Sequence, residues 1–184
     1  MGRLDSELWT AKLTGAFRSF DTDGDGYITA ADLDADKAGV AAALNTDTDS
    51  DAYAAFEEGY KVWTDQMFAD LDKDGDAQIS LDEFLSFYSE ASTEAVTEMS
   101  ERYCSALLVM ADADSDDRLS HEEYVRWAMA EGGASEADAE AAFSAIDANG
   151  NGYVSKDDLV RSMVEFTVSV EEAPGNELFG PVAA

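Results

Sequence analysis

Cysteine is almost missing from this chain: Cys104 is the only one in 184 residues, so no disulfide can close within it and a reducing compartment suits it. Histidine is as scarce, with His121 alone, and no Ser/His/Asp or Cys/His constellation or phosphate-cradling glycine loop accompanies it. The chain therefore does not read as an enzyme. Cys104 sits on an apolar stretch beside Leu107 and Leu108, where a buried inert thiol is expected. No apolar run approaches a membrane span or a signal-peptide core, and the expected location is cytoplasmic. Gly2 to Ser6 satisfy the minimal myristoylation pattern, but Asp5 within it and the overall negative charge argue against membrane docking, and no basic cluster supplies a second anchor. Positive charge is the last shortage: 11 Lys and Arg face 41 Asp and Glu, a formal charge of −30. Such a surface repels nucleic acid and anionic membranes, leaving cations, basic peptides or proteins as partners.

Enough apolar residues are present, 46% with 10% aromatic, to bury a sizeable core and exclude disorder. Against that background one arrangement of oxygen-bearing residues recurs four times. It runs from Asp21 through Asp23, Asp25 and Gly26 to Asp32, and from Asp72 through Asp74, Asp76 and Ala77 to Glu83. It returns from Asp112 through Asp114, Asp116 and Asp117 to Glu123, and from Asp147 through Asn149, Asn151 and Gly152 to Asp158. Each is a twelve-residue EF-hand loop. Side chains at positions 1, 3, 5 and 12, a backbone carbonyl at 7 and a water held at 9 wrap a hard cation in six to eight oxygens. The carbonyl donors are then Tyr27, Gln78, Arg118 and Tyr153, and up to four calcium ions are expected.

The loops are not equivalent. The first and fourth end in Asp32 and Asp158, whose shorter arm makes two-oxygen coordination harder and suits magnesium as well as calcium. The fourth also replaces two acids with Asn149 and Asn151, so electrostatics rank it weakest. The second and third end in Glu83 and Glu123 but place Ala77 and Asp117 where the turn needs positive φ. The expected order for calcium is the third loop, then the first, second and fourth. His121 falls at a non-ligating position, where it starts a helix.

Apolar residues at helical spacing flank every loop, for example Trp9, Leu13, Phe17 and Phe20 before the first and Leu159, Met163 and Phe166 after the last. Position 8 is Ile28, Ile79, Leu119 or Val154, suited to a short antiparallel bridge between paired loops. The expected architecture is all-α: an N-terminal pair over 1–91, a C-terminal pair over 92–166 and a folded irregular tail over 167–184 offering Leu178, Phe179 and Val182 for burial. The pairs are expected to pack as one globular, monomeric unit, because 89–93 is too short for a flexible tether. Loop starts lie 51, 40 and 35 residues apart, so extra chain sits inside the first pair. That insertion holds a decoy, Asp47, Asp49, Asp51 and Glu58, in which Ala52 replaces the turn glycine. It reads as a connection whose Asp and Ser cap the next helix. Ser135 to Asp138 form a second cap, and Gly132 with Gly133 ends the helix before it.

With four loops, an elongated first pair, no central tether and a tail, the chain resembles the sarcoplasmic calcium-binding proteins and the bacterial calerythrins. That resemblance implies a compact intracellular calcium buffer. Members usually have one or more disabled loops, whereas all four here keep oxygen ligands. The alternatives are a sensor that opens a hydrophobic groove to a partner protein, or a luciferin-like small-molecule carrier. The six methionines, Met1, Met67, Met99, Met110, Met129 and Met163, form no cluster that favours the sensor. The related photoproteins rely on several histidines and a C-terminal tyrosine, which this chain lacks.

Overall fold

A computed structural model describes residues 2–132, 134–171, 173 and 175. After a short 3-10 turn at Arg3–Asp5, the chain runs α1 (Glu7–Phe20), β1 (Tyr27–Ile28), α2 (Ala30–Ala43), α3 (Asp51–Leu71), β2 (Ile79–Ser80) and α4 (Leu81–Glu90). It continues with α5 (Thr93–Ala111), β3 (Arg118–Ser120), α6 (His121–Gly132), α7 (Glu136–Ile146), β4 (Tyr153–Ser155) and α8 (Lys156–Val168). This is the expected all-α fold with short strand bridges.

Caps fix where the helices begin. Ser6, Ser50, Ser92 and Ser135 each accept a hydrogen bond from the backbone N–H three residues on, satisfying one otherwise orphaned donor. Ser50 disposes of the decoy: α3 starts at Asp51, so the residues that would have been the fifth to twelfth loop positions are helix. Asp47 serves locally, its Oδ1 accepting the Asp49 N–H at 3.0 Å. The expected stop at Gly132 and Gly133 is met as far as Gly132, the last residue of α6; Gly133 lies outside the described residues.

The strands pair antiparallel in the register expected from position 8, Ile28 opposite Ile79 and Leu119 opposite Val154. All four are fully buried, so each bridge doubles as the roof of the core. Beneath them the two pairs interlock. Helices α3 and α5 cross at Gly59, where a Cβ would stand 3.2 Å from that of Ala106, and a larger residue would push them apart. The Trp63 and Tyr103 rings meet across the same interface at 4.8 Å. Helix α1 is tied to α8 by the buried Trp9 indole N–H, which donates to the Thr167 carbonyl at 2.6 Å. Arg3 closes the top, donating to the carbonyls of Tyr88 and Ala91 at 2.7 and 2.9 Å.

Of the tail, Gly175 is buried against α8: its N–H donates to Glu165 Oε2 at 2.9 Å, and a Cβ there would lie 2.3 Å from the Ser162 carbonyl oxygen. Only glycine fits that approach. Leu178, Phe179 and Val182 lie outside the described residues. Cys104 is buried and its thiol is pushed up to about 12 by desolvation, as an inert core cysteine should be.

One polar cluster interrupts the apolar interface between the pairs. Tyr60 donates to Asp36 Oδ2 at 2.8 Å, and Tyr103 donates to Glu131 beside Trp127, around a small cavity also lined by Lys37, Val40 and Met110. Burial, then the nearby Asp36 charge, pushes the Glu131 carboxyl up to about 7; burial likewise raises Asp36. Lys37 does not relieve them, being engaged with Asp34 and Glu57, each at 3.3 Å. A raised acid is favoured uncharged in the fold. Its stabilising contribution is whole below the ordinary carboxyl pKa and is lost as pH rises through about 7. Glu131→Gln, melted in chelator, is therefore expected to exceed the parent by about 2 kcal/mol, roughly 5 °C, near pH 8 and by much less near pH 5. Equal differences at both pH values would contradict this.

Candidate metal centres

Each loop is built by its own first residue. Asp21 Oδ2 accepts the Gly26 N–H at 3.0 Å, Asp72 Oδ2 that of Ala77 at 3.0 Å, Asp112 Oδ2 that of Asp117 at 2.9 Å and Asp147 Oδ2 that of Gly152 at 2.9 Å. The turn this creates requires positive φ at position 6, which reads 93° at Gly26, 64° at Ala77, 65° at Asp117 and 85° at Gly152. Ala77 thus carries the expected strain, on the order of 1 kcal/mol. The third loop carries a second strained residue that residue type does not signal, Ser115 at φ 60°.

The fifth residue completes the cup. Asp25, Asp76, Asp116 and Asn151 each accept the N–H of the seventh residue, Tyr27, Gln78, Arg118 and Tyr153, at 2.8 to 3.2 Å. This bond anchors the backbone of the residue whose own carbonyl is expected to ligate, through the peptide that precedes it. Position 3 is held similarly, Asp23, Asp74 and Asn149 accepting from the fifth residue's N–H.

Position 12 is held from both ends. Glu83 accepts from the Lys73 N–H at 3.0 Å through Oε1 and from Ser80 N–H and Oγ–H through Oε2. Glu123 repeats this with the Ala113 N–H at 2.8 Å and with Ser120, and Asp32 with Thr22, Asp23 and Thr29. The partners Thr29, Ser80, Ser120 and Ser155 stand at position 9 and cap the exit helix, so loop closure and helix start are one reciprocal capping box. The Ser/Thr-x-x-Glu/Asp spacing is visible in the sequence, where the loop pattern alone assigns position 9 only a water-holding role.

These donors keep the closing carboxylates charged. For Glu83, the Ser80 N–H leads in holding the acid below its usual range. Burial opposes ionisation of Asp32 and Glu123, but hydrogen bonds from Thr29 and Thr22, and from Ser120 and Ala113, outweigh it and hold both below the usual carboxylate range. The Asp114 carboxyl moves the other way, raised by desolvation and by its neighbours Asp116, Glu123 and Asp112.

Convergence of the donors is the test of fit. The carboxylates of Asp21, Asp23 and Asp25 bring ligand atoms within 4.8 Å of one another, as do those of Asp72, Asp74 and Asp76. In the third loop the converging set is Asp112, Asp114 and Glu123. Such clusters of hard oxygens suit Ca2+ and accommodate Mg2+ only where the ligand shell can contract. The fourth loop differs in a way sequence spacing did not reveal. Asp158 Oδ1 takes the Arg161 guanidinium at 2.8 Å, and the same nitrogen donates to the Ile146 carbonyl at 3.1 Å. An arginine one turn along α8 thus supplies positive charge where a metal would otherwise be the counter-ion. His121, exposed at the start of α6 with its ring edge against Phe143 at 4.8 Å, takes no part.

Comparison with known proteins agrees with this geometry. A family model described as an EF-hand domain pair matches residues 10–89, and one described as an EF hand matches residues 139–164. Calerythrin of Saccharopolyspora erythraea is 23% identical over 167 residues, spanning 89% of this chain and 94% of that protein. A Streptomyces coelicolor calcium-binding protein, solved in a study of prokaryotic calcium-mediated regulation, superposes with a TM-score of 0.75 at 24% identity, covering 88% of this chain and 99% of that one. A sarcoplasmic calcium-binding protein from amphioxus gives 0.75 at 19% identity, covering 95% and 97%.

Proposed function

This chain belongs to the EF-hand calcium-binding family, and from that premise we propose that it is a cytoplasmic calcium buffer. Its side-chain ligands are those at positions 1, 3, 5 and 12 of the loops, with the carbonyls of Tyr27, Gln78, Arg118 and Tyr153 completing each shell. Magnesium shares the loops ending in Asp32 and Asp158. The geometry favours a changed order of affinity: the first loop has four acids and glycine at its turn, whereas the third is strained at two positions, so the first leads and the fourth remains last.

The observation that carries the buffer reading is how thoroughly the apolar faces of the eight α-helices among the described residues are spent on one another. A sensor must keep a hydrophobic groove that opens on calcium. Here the core runs through both pairs, and the large apolar side chains left exposed among the described residues are Leu4, Tyr27, Val62, Val109, Met129 and Val170, which come from separate elements. Met67 and Met99, which could line a groove, are buried. The carrier reading has less support, since the cavity between Leu13, Trp63, Phe84, Met99 and Phe166 offers about 50 Å³, against roughly 300 Å³ or more for a drug-sized ligand.

No helix among the described residues is long and apolar enough to cross a membrane. The sensor reading takes its support from the Streptomyces relative, whose study concerned calcium-mediated regulation. Fluorescence of a hydrophobic dye, titrated with calcium, separates the two. A buffer leaves the dye signal flat or lowers it as the loops fill; a calcium-dependent rise with retention on a hydrophobic matrix would establish the sensor instead.

A further inference from the structure

Arg118 stands at the seventh position of the third loop, where the first, second and fourth loops have Tyr27, Gln78 and Tyr153. Only the backbone of this residue serves the ion, so its side chain is free to act elsewhere. It acts on a ligand. The guanidinium Nε donates to Asp116 Oδ2 at 2.7 Å, while the backbone N–H of Arg118 holds the other oxygen, Oδ1, at 3.2 Å. Both oxygens of the fifth-position carboxylate are thereby engaged by one residue.

The consequence shows in which donors converge. In the first two loops positions 1, 3 and 5 form the tight set; in the third, Asp116 is absent from the set and Glu123 takes its place. A platform in the neighbouring hand holds the arginine in this pose. The guanidinium carbon lies 3.8 Å from the centre of the Tyr153 ring, a stacked cation–π contact. The strand register explains the reach: Arg118 is opposite Ser155 and Ser120 opposite Tyr153, so Arg118 and Tyr153 are diagonal neighbours on one face of the bridge.

We propose that Arg118, seated on Tyr153 of the fourth hand, is a positioning residue that holds Asp116 off the ion and sets the calcium affinity of the third loop below that of its carboxylate count. This rests on the calcium-binding reading of the loops and deepens it. The third loop first closes with Asp112, Asp114 and Glu123. Recruiting Asp116 requires the guanidinium to give up the carboxylate, which Tyr153 resists from across the bridge, so a residue of one hand governs the affinity of the other.

The test is a calcium-buffered titration of the full 15N-labelled chain, following the Asp117 amide for the third loop and the Gly26 amide for the first. Arg118→Gln is expected to lower the free-calcium midpoint at Asp117 about fivefold by restoring the fourth carboxylate. Tyr153→Leu, which changes no charge and keeps the ligating backbone carbonyl, is expected to lower it about twofold by removing the platform. Arg118→Lys, with the charge but not the planar fork, falls between. The Gly26 midpoint stays within error in all three. An unchanged Asp117 midpoint in Arg118→Gln or Tyr153→Leu, or an Arg118→Lys midpoint equal to the parent's, overturns the proposal while leaving the loops as calcium sites. A parent Asp117 amide that ignores calcium altogether overturns the reading of the third loop itself.

Discussion

Chelating calcium from the loaded protein lowers its melting temperature by about 25 °C or more, an expected result that follows from binding linkage and size. A metal that binds only the folded chain stabilises it by about 4 kcal/mol per site at a thousandfold excess over Kd. Three well-filled sites then supply about 12 kcal/mol, and a chain of this length gains roughly 2 to 4 °C per kcal/mol. The loops make this linkage strong because their carboxylates are already drawn together: Asp21, Asp23 and Asp25 bring ligand atoms within 4.8 Å of one another, on a chain carrying −30. Without a counter-ion that repulsion falls on the folded state alone. Differential scanning calorimetry with excess calcium and with excess chelator checks it. Coincident transitions would mean that metal and fold are uncoupled.

The second large effect is expected from Glu83→Gln, and it should be felt in two loops. The variant keeps the shape of the side chain, and its one carbonyl oxygen can still accept from Ser80, so the exit helix keeps its cap while the bond from the Lys73 N–H is lost. It loses the negative bidentate ligand, and calcium affinity of the second loop should fall about a hundredfold. The first loop should weaken too, by about threefold to tenfold, because Ile28 and Ile79 form one buried bridge and an unfilled partner no longer holds it rigid. Affinities of the third and fourth loops should stay near the parent's, their bridge being separate. Amide spectra resolved by loop during a calcium titration check all of this, and a first loop indifferent to the variant would show that the bridge transmits nothing.

How legible was this in the sequence? The loops were, because their donors lie within twelve consecutive residues and the coordination sphere dictates the spacing. The strand register was legible for the same reason: position 8 must be apolar and must meet its twin. Helix boundaries follow from Ser50 and Ser135 acting as caps, and Ala52 in place of the turn glycine sets the decoy at Asp47 aside. The features that modulate the sites were not legible. Arg161 on Asp158 and Arg118 on Asp116 are close in sequence, but an arginine has many rotamers and nothing local says which carboxylate it takes. Glu131 and Tyr103 lie 28 positions apart, and their contact depends on how α5 and α6 pack. Ser115 gives no signal by its residue type, although position 4 of this turn also takes positive φ, as Gly24, Gly75 and Gly150 show.

The interlocking of the pairs has the same character. A short connection at 89–93 argued for contact, but the way α3 lies on α5 depends on Gly59 lacking a side chain opposite Ala106. That small gap lets Trp63 reach Tyr103 and makes one core of two pairs. A helix so engaged cannot swing out without exposing aromatic rings to water, which costs about 2 kcal/mol or more for each large side chain. This is the physical ground for expecting ions to be held while the apolar interior stays closed.

Isothermal titration of the chelator-stripped full chain with calcium, at neutral pH and repeated in millimolar magnesium, measures the central claim most directly. The account calls for about three to four ions per chain, with the weakest step lost first when magnesium is present. A chain that takes up no calcium at neutral pH would contradict it outright.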